Sequence, residues 1–164
     1  TEAQNINAIK DDTLEVEIYM KQKTRDLLFE LTVKEGDPDR ISNITGTLSG
    51  IAGSFDLSSQ RICGEAMNTS FPFARTNYKI TAHTRLLGTT GLKQSLRIDL
   101  TFTDGSSQTI ENDLTDLLKN FNDDMPTPMY ITGDLLTPIE ADMTATIVGW
   151  GNGNEENGEN IEIY

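Results

Sequence analysis

Apolar and polar residues alternate with a period of two along most of the chain, the mark of strands that bury one face. Leu14, Val16, Ile18 and Met20 alternate with Glu15, Glu17 and Tyr19, predicting a first strand. Leu27, Phe29, Leu31 and Val33 alternate with Leu28, Glu30, Thr32 and Lys34, predicting a second. The stretch from Glu35 to Arg40 carries Gly36 and Pro38 and reads as a loop. From Ile41 to Gly53 a strand threaded with glycine follows. Ile44, Gly46, Leu48 and Gly50 fall on one side, and Thr45, Thr47 and Ser49 on the other. Gly50 and Gly53 bracket Ile51 and Ala52, where the chain must bend or pack closely.

Phe55 to Arg61 reads as a connection or a single helical turn. Phe71 to Ala74 is a short strand that Pro72 confines to a sheet edge. Tyr78 to Leu86 and Leu96 to Phe102 alternate clearly. Asp104-Gly105 then gives a strong hairpin signal, with Ser107 to Ile110 returning. Asp113 to Asn120 is the one predicted helix. Leu114, Leu117, Leu118 and Phe121 form its apolar stripe, and Asn112 or Asp113 would cap its start. Met129 to Leu135 and Met143 to Trp150 supply the last strands. Eight or nine short strands and one helix predict an all-β chain folded as an antiparallel β-sandwich. The expected organisation is an N-terminal arm or linker over residues 1–12, a β-sandwich domain over 13–150, and an acidic Gly/Asn/Glu tail over 151–164 that reads as flexible.

Charge narrows the function. The chain has 164 residues and a net charge of −13, with 26 acidic against 13 basic residues. Phosphate binding needs a basic face, so nucleic acid is not an expected partner. No apolar run reaches the roughly 20 residues of a membrane span. Cys63 is the only cysteine, which excludes an internal disulfide, and its apolar neighbours predict a small buried hydrophobe. The chain begins at Thr1, which suits a mature or trimmed product.

Candidate chemistry is sparse. Any Ser-His-Asp or Cys-His arrangement would have to use His83, the only histidine, which the alternation places on a solvent face without a flagged partner. Asp123, Asp124 and the tail from Asn154 to Asn160 offer oxygens for calcium but lack the spacing of a calcium loop. Asp99, Asp104, Asp113 and Asp116 could in principle pair for glycoside hydrolysis, yet no setting singles them out. Trp150 and Tyr130 are candidates for a sugar-binding face, with a core role the stronger reading for Trp150. Asn43 and Asn68 open short glycosylation patterns that are read as chance. No catalytic, cofactor or metal site is assigned, and no enzyme is expected.

The run ITGTLSGIAGSFDLSS from Ile44 to Ser59, the FPF at Phe71 to Phe73, LRIDLTFTDGSSQTIENDLTDLLKNF from Leu96 to Phe121 and the VGW at Val148 to Trp150 resemble the fimbrillin-like proteins of Bacteroidales. The likeness is nearest to FimB-like anchor and accessory subunits of surface fimbriae. The resemblance implies a Greek-key, transthyretin-like sandwich and export to the cell surface or outer membrane, with a lipid anchor in the precursor. It also implies assembly with other fimbrial subunits by addition of a strand. A host or glycan ligand is a further candidate partner. The chain holds one domain's worth of residues, and so reads as one domain of a longer precursor or as a compact relative. Strand addition needs an exposed sheet edge, for which Phe71 to Arg75 and Met143 to Gly149 are the candidates. The alternative is a carbohydrate-binding sandwich module, which would need coplanar exposed aromatics.

Overall fold

A computed structural model describes residue 17 and residues 19–138 and 143–153. Nine strands are present among them: β1 (Arg25–Glu35), β2 (Ile41–Asp56), β3 (Arg61–Pro72), β4 (Ala74–Thr76), β5 (Lys79–Leu86), β6 (Ser95–Phe102), β7 (Ser107–Asp113), β8 (Met129–Leu136) and β9 (Thr146–Gly153). They form a five-stranded sheet in the order β4-β5-β1-β8-β9 and a four-stranded sheet in the order β3-β2-β6-β7. After β1 the chain makes hairpins that alternate between the sheets, β2-β3, β4-β5, β6-β7 and β8-β9. The fold is therefore an all-β sandwich. One pair departs from the antiparallel expectation, because β1 and β8 run parallel at the centre of the larger sheet.

The alternation read from sequence is what fills the space between the sheets. Leu27, Phe29 and Leu31 of β1, Ile80 of β5 and Ile131 of β8 meet Ile44 and Leu48 of β2 and Leu96, Ile98 and Leu100 of β6, all nearly inaccessible. Phe29 stacks on Phe71 at 5.5 Å between ring centroids, and both contact Phe73. Gly46 leaves room for these rings, since a Cβ there would lie 2.7 Å from both Phe71 and Phe73.

The β2-β3 hairpin carries two bulges. Gly50, at φ +72°, adds a residue to β2 between Leu48 and Ile51, so both of those side chains face inward. Gly64, at φ +82°, adds a residue to β3 and restores the register before the tip. Beyond Leu48 the strand leaves its partner β6, and the hairpin continues as a ribbon outside the sandwich. The main chain of Gly88 and Thr90 bonds its flank, Ala52 N to Gly88 O at 2.9 Å and Thr90 N to Gly50 O at 2.8 Å.

β3 is the strand the sequence did not reveal. Its side chains lie mostly in solvent because the ribbon has no opposing sheet, so no alternation is written there. For the same reason Cys63 is exposed, correcting the expectation of burial. The helix is also shorter than expected. α1 spans only Thr115–Leu118, with Leu114 at the N-cap position. Asp113 accepts from Thr115 N at 3.0 Å but does not cap the helix. At the other end Arg25, 7% exposed, takes the carbonyls of Asn120 and Phe121 at 3.0 and 2.8 Å, and the chain turns toward it instead of continuing the helix. The apolar stripe still works: Leu114, Leu118 and Phe121 are buried.

Of the strand expected over Leu14–Met20, Leu14, Glu15, Val16 and Ile18 lie outside the described residues, while Glu17, Tyr19 and Met20 are exposed and not in a strand. The last strand runs past Trp150 to Gly153, pairing with Tyr130 to Thr132, so these first tail residues are ordered in the sheet. The rest of the tail and the arm over 1–12 lie outside the described residues.

Candidate functional site

The residues with possible chemistry are scattered. His83 is on the outer face of the larger sheet, half-buried, with Nε2 2.8 Å from Asp26 Oδ1. Asp26 is fixed in turn by Arg85, whose Nε and Nη2 donate to it at 2.8 and 3.2 Å. Arg85, then burial in the opposite sense and His83, set the Asp26 carboxyl, which lies below its ordinary range. Asp99 is likewise held low by Arg97 and Thr109, Asp104 by Ser106, and Asp113 by Thr115. Asp56, at the ribbon tip, is lowered to about 2 by the hydroxyls of Ser59 and Ser58. Each of these carboxyls is stabilised as an anion by a local donor, the opposite of what a general acid requires.

Asp123 and Asp124 line an open cavity of about 540 Å³ between the ribbon, with Phe55 and Ile62, and the segment 122–126. Among the described residues no cluster of His, Cys, Asp and Glu is arranged to hold a metal ion. Trp150 points into the sandwich, packing on the core and donating from Nε1 to Asn112 Oδ1 at 3.0 Å. Tyr130 stands opposite Leu28 and belongs to the outer face of the same sheet. The two rings therefore occupy opposite faces and make no common platform for a sugar. Asn43 and Asn68 are exposed positions on strands β2 and β3.

What remains is the perimeter of the sheets, where main-chain groups can lack partners. The two flanks differ. On one, β7 and β9 lie at the margins of their sheets and side chains tie them together. Gln108 of β7 donates from Nε2 to Met143 O at 3.1 Å and accepts at Oε1 from Ala145 N at 2.6 Å, so its amide replaces a neighbouring strand. Trp150 and Asn112 add the second tie. Part of the expected Met143 to Gly149 edge is thus already occupied.

On the other flank the chain passes from β3 to β4 through Phe71 to Arg75, with Phe73 N bonded to Ile44 O at 3.0 Å. β3 is a poor template because its bulge breaks the ladder. β4 is a better opening because it is short. It covers only Lys79, Ile80 and Thr81 of β5, and among the described residues no strand pairs with Ala82 to Leu86 on that side.

The register shows which groups face out. Val33 N donates to Tyr78 O at 2.8 Å, so the narrow pairs between β1 and β5 fall at even positions of β5. The N–H and C=O of His83 and Arg85 consequently point away from β1, into the gap beyond β4. This edge lies next to the Phe71 to Arg75 segment picked out by sequence. The residues that define it, Asp26, His83 and Arg85, become neighbours only through the β1-β5 register, which no local motif encodes.

The sequence model of the fimbrillin-A associated anchor proteins Mfa1 and Mfa2 matches residues 2–161. Two solved structures share the fold. One is the fimbrial anchor protein Mfa2 from Porphyromonas gingivalis, with a TM-score of 0.53 at 14% identity over 79% of this chain and 46% of that one. The other is a candidate adhesin from Bacteroides ovatus, with a TM-score of 0.53 at 13% identity over 82% of this chain and 55% of that one. The chain spans about half the length of either structure. No curated protein sequence matches it.

Proposed function

Because this chain belongs to the family of fimbrillin-A associated anchor proteins, we propose that it is a non-enzymatic fimbrial subunit of anchor or accessory type that joins neighbouring subunits by strand addition. The family match over residues 2–161 carries the role. The outward main chain of His83 and Arg85 supports the mode of contact, since an extended segment beside β5 would gain ladder hydrogen bonds where β4 stops. On this reading the protein is exported and works at the cell surface or outer membrane, with a lipid anchor supplied by its precursor. Its partners are other fimbrial subunits. Among the described residues no helix is long and apolar enough to cross a membrane.

The test is a proline at the edge. His83→Pro removes an outward N–H while keeping every main-chain hydrogen bond between β1 and β5, and gives up the side-chain contact of His83 with Asp26. The variant is expected to fold and to be lost from fimbriae isolated from cells that express it in place of the natural chain. Undiminished incorporation of a folded His83→Pro subunit would reject the β5 edge as the joint.

A further inference from the structure

The charges beside this edge specify what kind of segment it takes. On the outer face of the larger sheet, opposite charges sit on adjacent strands. Lys34 of β1 faces Asp134 of β8 at 3.8 Å, Glu30 of β1 faces Lys79 of β5 at 3.5 Å, and Asp26 of β1 faces Arg85 and His83 of β5. In the last two groups the acids are on the inner strand and the bases on the outer one. The acids are correspondingly covered, 17% and 23% exposed at Asp26 and Glu30, while Lys79 and Arg85 are 45% and 60% exposed. A chain of net charge −13 thus presents the Arg85 guanidinium where β5 meets the gap, with Lys79 further along the same strand beside β4. Arg85 uses Nε and Nη2 on Asp26, and among the described residues its Nη1 has no partner.

Side chains directly opposite each other in a ladder share a face. A residue added across from Arg85 or His83 would stand on the outer face beside the Arg85 guanidinium. Its chain neighbours would point inward, next to the half-buried Thr84, which pairs with Leu27 on the core side. Resting on the strand-addition reading above, we infer that the β5 edge selects an extended polypeptide segment with a carboxylate at the outward position opposite Arg85 and small apolar residues at the flanking inward positions. The acid continues the alternation of charge across the sheet, and a lysine there would meet the like charge of Arg85.

Two synthetic extended peptides of alternating valine and threonine serve as probes, differing only at one outward position, glutamate in one and lysine in the other. Binding to the full chain is followed by fluorescence anisotropy, and protection of the His83 and Arg85 amides by hydrogen exchange. The glutamate peptide is expected to bind about two- to fivefold more tightly, the range of one cross-strand charge pair. The preference should shrink in 1 M salt, where the Debye length is about 3 Å, and reverse with Arg85→Glu. If both peptides protect the two amides equally and bind alike, or if the preference survives Arg85→Glu, the charge selection is wrong and the open edge stands. If neither peptide protects these amides, the edge itself is wrong and the selection falls with it.

Discussion

The two flanks of this sandwich solve the same problem in different ways. Where β7 and β9 meet, the gap between the sheets is closed by side chains: the Gln108 amide bonds main chain across it and Trp150 reaches Asn112. At the β4 flank the chain itself crosses between the sheets, but β4 stops early and leaves the outward groups of His83 and Arg85 without a strand among the described residues. Closure by side chains commits residues to stability. The short β4 leaves a row of main-chain groups available to another polypeptide, which is the arrangement an assembly subunit can use.

Substitutions should separate the flanks in order of effect. Trp150→Ala removes a ring packed against the core, near Gly133, and should destabilise the protein by about 3–5 kcal/mol in denaturant melts. A loss below about 1 kcal/mol would mean that the closed flank is not held by this ring. Gln108→Ala strands Ala145 N and Met143 O and should cost about 1–3 kcal/mol. Faster exchange of the Ala145 amide is the accompanying signal, and an unchanged rate would show that the amide bridge does not close this flank.

On the open flank the expected effects are smaller. Asp26→Asn weakens a partly exposed ion pair and should cost less than about 1 kcal/mol. The Asp26 carboxyl is lowered in the folded state, chiefly by Arg85, so its contribution is complete above the unfolded value of 3.8 and is lost as the pH falls below it. The stability difference between wild type and Asp26→Asn should therefore narrow in acid melts below about pH 3.8. A gap that instead widened there would contradict the pairing. His83→Pro keeps the main-chain ladder and loses only the side-chain contact with Asp26, so it should cost far less than Ala82→Pro, whose N–H faces Phe29 and which should unfold the sheet locally. Equal losses from the two prolines would show that the edge is already paired.

Much of this architecture is written in the chain. The strands that bury a full face, β1, β2, β5, β6 and β8, carry their alternation openly, and the turn at Asp104-Gly105 joins β6 to β7. β3 and Cys63 were illegible because the ribbon leaves the sandwich, and without an opposing layer nothing selects an apolar period. The helix stops short of its apolar stripe because Arg25, a residue whose charge suggests a surface turn, is buried and draws the carbonyls of Asn120 and Phe121. The candidate edge was half legible. Pro72 marks the crossing, but the outward direction of His83 and Arg85 follows only from the register with β1, a property of two distant segments together.

The paired bulges of the β2-β3 hairpin behave like a frameshift and its suppressor. Gly50 inserts one residue on the outgoing strand and Gly64 one on the returning strand, so the tip regains the phase in which the hairpin began. Deleting either glycine alone would leave two strands of unequal length between Leu48 and the tip, and one half would have to slip and turn its side chains over. Deleting both would restore the phase. Sequence change at these two sites is therefore expected to come in pairs, as a compensated event and not as two independent ones.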